Sequence, residues 1–172
     1  GPADLGSGHG TYVAGLAAGN GSRSGGRRRG VAPAARLVVQ AIEQWVAVAP
    51  AHPEIGASGF TLAGRPTDLR ALLLQAYEHG ARLQVLAWGS PANGTYDNDA
   101  YEADLFLREH RESLLLVAAG NAGSDRNADR RTDPGSLTSP ATAKNVLTIG
   151  ATEGSDPNGF PFTWARLQAE GR

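Results

Sequence analysis

An α/β fold in three layers, with a mostly parallel sheet between helices, is the architecture this sequence predicts, and three observations predict it. Short apolar runs recur at 35–42, 83–88, 114–119 and 145–151, with the continuous hydrophobicity of strands covered on both faces. Segments with helical periodicity fall among them, at 67–80 and 97–111. Strands that alternate with helices are joined by crossovers and so run parallel, with the helices laid on the faces of the sheet.

Taken in order, the small apolar stretch 12–18 follows the glycine-rich Gly6-Ser7-Gly8-His9-Gly10 and stops at Gly19-Asn20-Gly21, which predicts a short buried helix. The Gly, Ser and Arg residues of 19–30 have no periodicity and predict a mobile surface loop. The strand at 35–42 is followed by a Gly, Pro and Ala-rich loop over 43–66. Leu69, Leu72, Leu73, Ala76 and Tyr77 repeat at helical spacing, with Asp68 in the first turn and Gly80 at the end. The helix at 97–111 turns Asp99, Glu102 and Arg108 outward, between strands at 83–88 and 114–119. Ligand sites in such sheets lie beyond the carboxyl ends of the strands, where Gly89, Gly120 and Asn121 fall.

Length and composition bound the function. A chain of 172 residues, 41% of them hydrophobic, builds one domain with its own core. With 16 basic and 17 acidic side chains the charges nearly cancel, so neither nucleic acid nor a membrane is expected as a partner. The cluster Arg27-Arg28-Arg29 reads as a solvated loop. The absence of cysteine excludes disulfides and thiolate metal sites while leaving the redox compartment open. No apolar run has the length of a membrane span, and no leader-like segment opens the chain.

Two residues stand out as chemistry. His9 lies between glycines in G-H-G-T-Y-V-A-G, a frame that lets a substrate or another backbone approach the imidazole and makes it a candidate general base. Asn121 follows a buried strand in A-A-G-N-A-G. At a rigid strand tip its carboxamide is suited to donate to a developing oxyanion; the same sequence also fits a turn asparagine with positive φ.

Five segments, G-H-G-T-Y-V-A-G (8–15), G-V-A-P-A-A (30–35), A-W-G (87–89), A-A-G-N-A-G (118–123) and S-P-A-T-A-K-N-V-L-T-I-G-A-T (139–152), occur in an order that resembles the subtilisin-like serine proteases. The stretch from Gly80 through Asn93-Gly94 to Gly123 is most similar to the alkaline-protease branch, in which a β-sandwich domain follows the catalytic one. The resemblance implies that His9 is the general base and Asn121 the side-chain oxyanion donor. It implies further that Ala87, Trp88 and Gly89 form one wall of the substrate groove and Ala118, Ala119 and Gly120 the other. The substrate would be a protein or peptide lying along a strand edge, and the setting secreted or extracytoplasmic.

Departures from the family pattern limit what this chain does alone. Tyr12 stands where a second histidine is usual and Ala87 where a serine is usual. The triad runs Asp, His, Ser along the chain, yet Asp4 lacks the preceding strand and glycine spacing of the family's aspartate. Ser139 imitates the nucleophile, but Pro140 follows it directly and no glycine precedes Thr138. It is therefore expected to be structural, with Ser139-Pro140 a candidate cis bond.

The chain thus reads as the central portion, 1–172, of one catalytic domain, an incomplete fold without the Asp and Ser motif regions and inactive by itself. Apolar surface left uncovered by missing elements predicts self-association. The tail 160–172 no longer tracks the family. No cofactor is evident, and the 19–30 loop lacks the residues of the family's strongest calcium site. Calcium as a structural ion is left to Asp97, Asn98 and Asp99, which read more simply as a solvated first helical turn. Two other readings compete: a non-catalytic peptide-binding relative of the same fold, favoured by Ala87 and Tyr12, and a nucleotide-phosphate loop at Gly6–Gly10. The loop reading is opposed by the wrong glycine spacing and the lack of a preceding strand.

Overall fold

Asp68 and Asp97 each start a helix for the same reason: a carboxylate in an extended residue accepts from the third backbone N–H onward, filling an otherwise empty donor. Asp68 Oδ1 accepts from Ala71 N at 3.3 Å and begins α2, Leu69–Glu78. Asp97 Oδ1 accepts from Ala100 N at 3.1 Å and begins α3, Asn98–Glu109. The protein structure, a computed structural model, describes residues 8–47 and 59–151. The glycine-rich start before Gly8, Asp4, the tail 160–172 and residues 48–58 of the expected long loop lie outside them.

Before α2 come α1, His9–Ala18, a 3-10 turn at Ser22–Ser24, and a hairpin of β1, Gln44–Val46, and β2, Gly59–Thr61. After it come β3, Leu83–Leu86, then α3, β4, Leu114–Ala118, and β5, Leu147–Ile149. The last three strands form a parallel sheet in the order β3-β4-β5, with Leu86 opposite Val117 and Ala118 opposite Ile149. The α/β class and the parallel sheet expected from the sequence are both present.

One face of the sheet carries Gln84, Leu86, Leu115 and Val117, all buried. Helices α2 and α3 cover this face with Leu69, Leu72, Leu73, Ala76, Ala100, Ala103, Phe106 and Leu107. Full burial of each large side chain here contributes about 1.5–3 kcal/mol. Polar groups join the helices as well. Glu102 Oε2 accepts from Leu69 N at 2.6 Å, and Asp99 pairs with Arg65 at 2.5 Å. Glu102 and Asp99 therefore do not simply face water, as the periodicity suggested; Glu102 caps the neighbouring helix and Asp99 holds the segment leading into it.

Alternate strand residues point to the other face, where Leu83, Val85, Leu147 and Ile149 are 69%, 54%, 48% and 44% exposed. The expected burial of the first helix is not found, since α1 has no buried residue. Nor does the apolar segment 35–42 pair as a strand. Its contacts are with α2 instead: Gln40 Nε2 donates to Leu72 O at 2.9 Å and to Gln75 Oε1 at 2.8 Å, while Ile42 packs on the core. Hydrophobicity alone does not make a strand; a partner edge must meet it, and none of the described strands does. The expected loop at 43–66 includes the β1–β2 hairpin, closed by Trp45 and Phe60 edge to face at 5.1 Å. The arginine-rich loop is surface-exposed as expected, with its base pinned by Gly30 N donating to Gly19 O at 2.7 Å.

Candidate functional site

The helix that bears His9 is tied back to its own following segment. Val31 N donates to Leu16 O at 3.0 Å and Ala32 N to Ala17 O at 2.8 Å, so the G-V-A-P-A-A stretch takes up carbonyls at the end of α1. At the other end, Gly8 is the N-cap and His9 the first helical residue. His9 Nε2 lies 2.8 Å from Ala87 O, one residue beyond β3. A carbonyl oxygen only accepts, so in this arrangement Nε2 carries the proton and donates it.

Ala87, Trp88 and Gly89 continue from β3, and Ala119, Gly120 and Asn121 continue from β4. These strands are parallel neighbours, so both segments leave the same end of the sheet. His9 is attached to that end through Ala87, and Asn121 stands three positions past Ala118 at the end of the adjacent strand. The Asn121 residue is exposed. Trp88 is partly buried against the core, with the Arg65 guanidinium 5.6 Å from its ring centre.

Between the segments 87–89 and 118–120 lies a residue to which sequence reasoning gave no role. Thr138 N donates to Ala119 O at 3.1 Å, and its Oγ1 donates to Ala118 O and Ala119 O at 3.4 and 3.3 Å. A Cβ placed on Gly89 would sit 2.5 Å from Thr138 Oγ1, and one on Gly120 would sit 2.9 Å from the same atom and overlap Cγ2. Both strand-end glycines are thus required by contact with one threonine, and Gly120 also has φ +104. The only sequence signal was the glycine at each strand end, which does not reveal what approaches it.

Ser139 is fully buried. Its backbone makes a two-way bridge with Ser90, N to O at 2.9 Å in each direction, and its Oγ donates to Asp97 Oδ1 at 2.5 Å. The Ser139-Pro140 peptide is cis. Asp97 is therefore engaged by both α3 and Ser139, Asn98 Nδ2 donates to Glu102 Oε1 at 2.6 Å, and Asp99 holds Arg65. Among the described residues no group of three or more His, Asp or Glu side chains is gathered closely enough to hold a metal ion. No helix of the described residues is long and apolar enough to cross a membrane.

A parallel sheet flanked by helices, with a histidine contact at the end of one strand and a glycine-asparagine turn at the end of its neighbour, defines the class as an α/β fold. Comparison with known proteins gives the family: the subtilase family (peptidase S8) matches across residues 2–165, and the chain belongs to it. It is 32% identical over 158 residues to a Dictyostelium discoideum protein named serine protease/ABC transporter B family protein tagB. That match covers 88% of this chain and 7% of the relative. A second Dictyostelium discoideum protein, serine protease/ABC transporter B family protein tagD, is 38% identical over 92 residues, 51% of this chain and 4% of the relative. The chain thus spans less than a tenth of the length of these relatives. The family is one of serine proteases.

Proposed function

We propose that these residues supply the general base and the oxyanion donor of a serine endopeptidase, with the nucleophilic serine and the triad aspartate coming from sequence outside them. His9 would take the proton of the attacking serine as it adds to the substrate carbonyl, and return it to the leaving amine. The Asn121 carboxamide would donate to the oxyanion formed on that carbonyl. Ala87–Gly89 and Ala118–Gly120 would flank the substrate, with its backbone added to a strand edge and its side chain set between the walls. The observation that carries this reading is the attachment of His9 to the Ala87 carbonyl at the same sheet end from which Asn121 projects.

In this arrangement the His9 Nε2 proton is already given to Ala87 O. To act as a base toward a serine, the imidazole must release that carbonyl and present an unprotonated nitrogen. Catalytic hydrogen bonds often form only when substrate and nucleophile are in place. The same contact supports a second reading, a non-catalytic peptide-binding module that keeps the groove and uses His9 only to hold α1 on the sheet.

A fluorophosphonate probe separates the two in a longer protein that includes the flanking coding sequence. Catalysis predicts labelling at a serine outside residues 1–172, a loss of about 10²–10⁴-fold in turnover for His9→Ala, and a smaller loss for Asn121→Ala. For that asparagine the magnitude is borrowed from subtilisin, where loss of the donor costs about 3–4 kcal/mol of barrier. Labelling at Ser139, or full turnover in His9→Ala, sinks the catalytic assignment. Peptide binding without turnover supports the module. An extracytoplasmic location belongs to the same proposal and rests on the family alone.

A further inference from the structure

Charge is spread unevenly along a chain whose overall balance hides it. The whole sequence is net −1, yet residues 5–42 contain five arginines and no aspartate or glutamate. Arg23, Arg27, Arg28 and Arg29 fall within the loop that leaves α1, and all of them are exposed. None of these four pairs with a carboxylate among the described residues, whereas Arg65, Arg70 and Arg82 each do. A loop that gathers arginines without an acid leaves a local positive field uncompensated.

The loop is closed at its neck and bonded within. Gly30 N donates to Gly19 O at 2.7 Å, and a Cβ on Gly30 would lie 2.6 Å from Gly19 N, so backbone meets backbone there. Inside the loop Ser24 N and Gly26 N both donate to Gly21 O at 2.9 Å. The Ser24 hydroxyl donates to Gly21 O at 2.9 Å and accepts from Arg28 N at 2.8 Å, while Arg27 Nε donates to Ser24 O at 3.3 Å. These bonds start the Arg27 and Arg28 side chains from fixed points. An open hollow of about 500 Å³ lies among them, lined by Arg23, Ser24, Arg27 and Arg28 with no apolar or aromatic side chain.

That lining selects the chemistry of a ligand. A guanidinium is a planar fork of donors matched to the oxygens of phosphate and carboxylate, and several forks on one hollow favour the anion with the most charge on the fewest atoms. A nucleic acid would bring bases to stack, and no aromatic residue lies between Tyr12 and Trp45 in the sequence. We propose that Arg23, Arg27 and Arg28 form a binding site for a phosphate group, free as an oligophosphate or carried on a phosphorylated peptide. His9 opens α1 and the loop follows the helix's last residue, Ala18, about 14 Å further along its axis. The site is therefore separate from the peptide-groove residues and does not rest on the reading given to them.

The test is isothermal titration of the 172-residue chain with inorganic pyrophosphate, with a short phosphoserine peptide, and with the same peptide carrying aspartate in place of phosphoserine. A phosphate probe should saturate a single site and bind more weakly as salt is raised. Arg28→Gln should weaken it about tenfold, and Arg27→Gln with Arg28→Gln about a hundredfold. Arg28→Lys, which keeps the charge and loses the fork, should fall between wild type and Arg28→Gln. Arg108→Gln, on α3, should leave the affinity unchanged. All these residues are exposed, so an unaltered circular dichroism spectrum should accompany each loss of binding. Tighter binding of pyrophosphate assigns the site to free phosphates, and tighter binding of the phosphoserine peptide assigns it to a phosphorylated partner. Absence of saturable binding by both phosphate probes, the behaviour of a merely solvated loop, overturns the inference. So does an affinity unchanged in the double variant, or an aspartate peptide bound as tightly as its phosphoserine counterpart.

Discussion

Phe106, Leu69, Leu73, Leu115 and Val117 are wholly buried where α2 and α3 lie on the sheet, whereas α1, which carries His9, buries no residue at all. The first region is held by apolar area and by acids that reach across it, such as Glu102 on Leu69 N. The second is held by backbone hydrogen bonds to residues 30–32 and by the His9 contact to Ala87. The difference teaches how the candidate site is built. The segments 87–89 and 118–120 continue from or end strands of the buried region, while His9 arrives on an element with little burial of its own. Elements of that kind open first in local fluctuations.

Mutations can break or sharpen this contrast. Phe106→Ala should be the most damaging, with a loss of about 3–5 kcal/mol for a large aromatic removed from a closed core, read from the denaturant midpoint. Glu102→Ala removes the acceptor of the Leu69 N–H and should cost about 1–3 kcal/mol; a negligible cost would mean that burial alone joins α2 to α3. Leu16→Ala, in α1, should stay within about 0.5 kcal/mol, as expected for a side chain that is 54% exposed. A loss for Leu16 comparable to that of Phe106 would erase the contrast.

The smallest effect is a pH dependence at the edge of the buried region. The hydrogen bond from Tyr77 Oη holds the Glu112 carboxyl below its ordinary range and, with burial, raises the Tyr77 phenol above its own. A lowered carboxyl contributes stability that is present above its unfolded value and is lost as pH falls through the lowered one. A raised phenol contributes stability that is present below its unfolded value and is lost as pH rises through the raised one. The difference between wild type and Tyr77→Phe should therefore be flat from about pH 5 to 9 and shrink on either side. A difference that grows in acid would contradict the assignment.

The buried region was the more legible one in the sequence, and for a physical reason. Leu69, Leu72, Leu73 and Ala76 advertise a buried helix face because burial there is local and periodic, and the runs at 83–88 and 114–119 advertise strands because both neighbours are present. The run at 35–42 carries the same kind of signal but meets no strand edge among the described residues, and its apolar side chains Leu37, Val38 and Val39 are 50%, 42% and 62% exposed. Pairing is a property of two segments, and a single sequence displays only one. The candidate site was marked in the sequence only by short motifs, at His9 and Asn121. It was not legible at Thr138 and Asp97, which lie 41 positions apart and meet only through Ser139, itself 42 positions from Asp97. The first turn of α3 offered Asp97, Asn98 and Asp99 as equivalent oxygen donors. Tertiary contacts give each a different task.

The account depends most on His9 and Asn121 serving one groove. Titration of the isotope-labelled chain with a blocked alanine tetrapeptide, followed at the His9 imidazole and the Asn121 carboxamide, tests this directly. Both signals are predicted to shift together and saturate with one dissociation constant. A shift at one residue without the other, or two different midpoints, would contradict it.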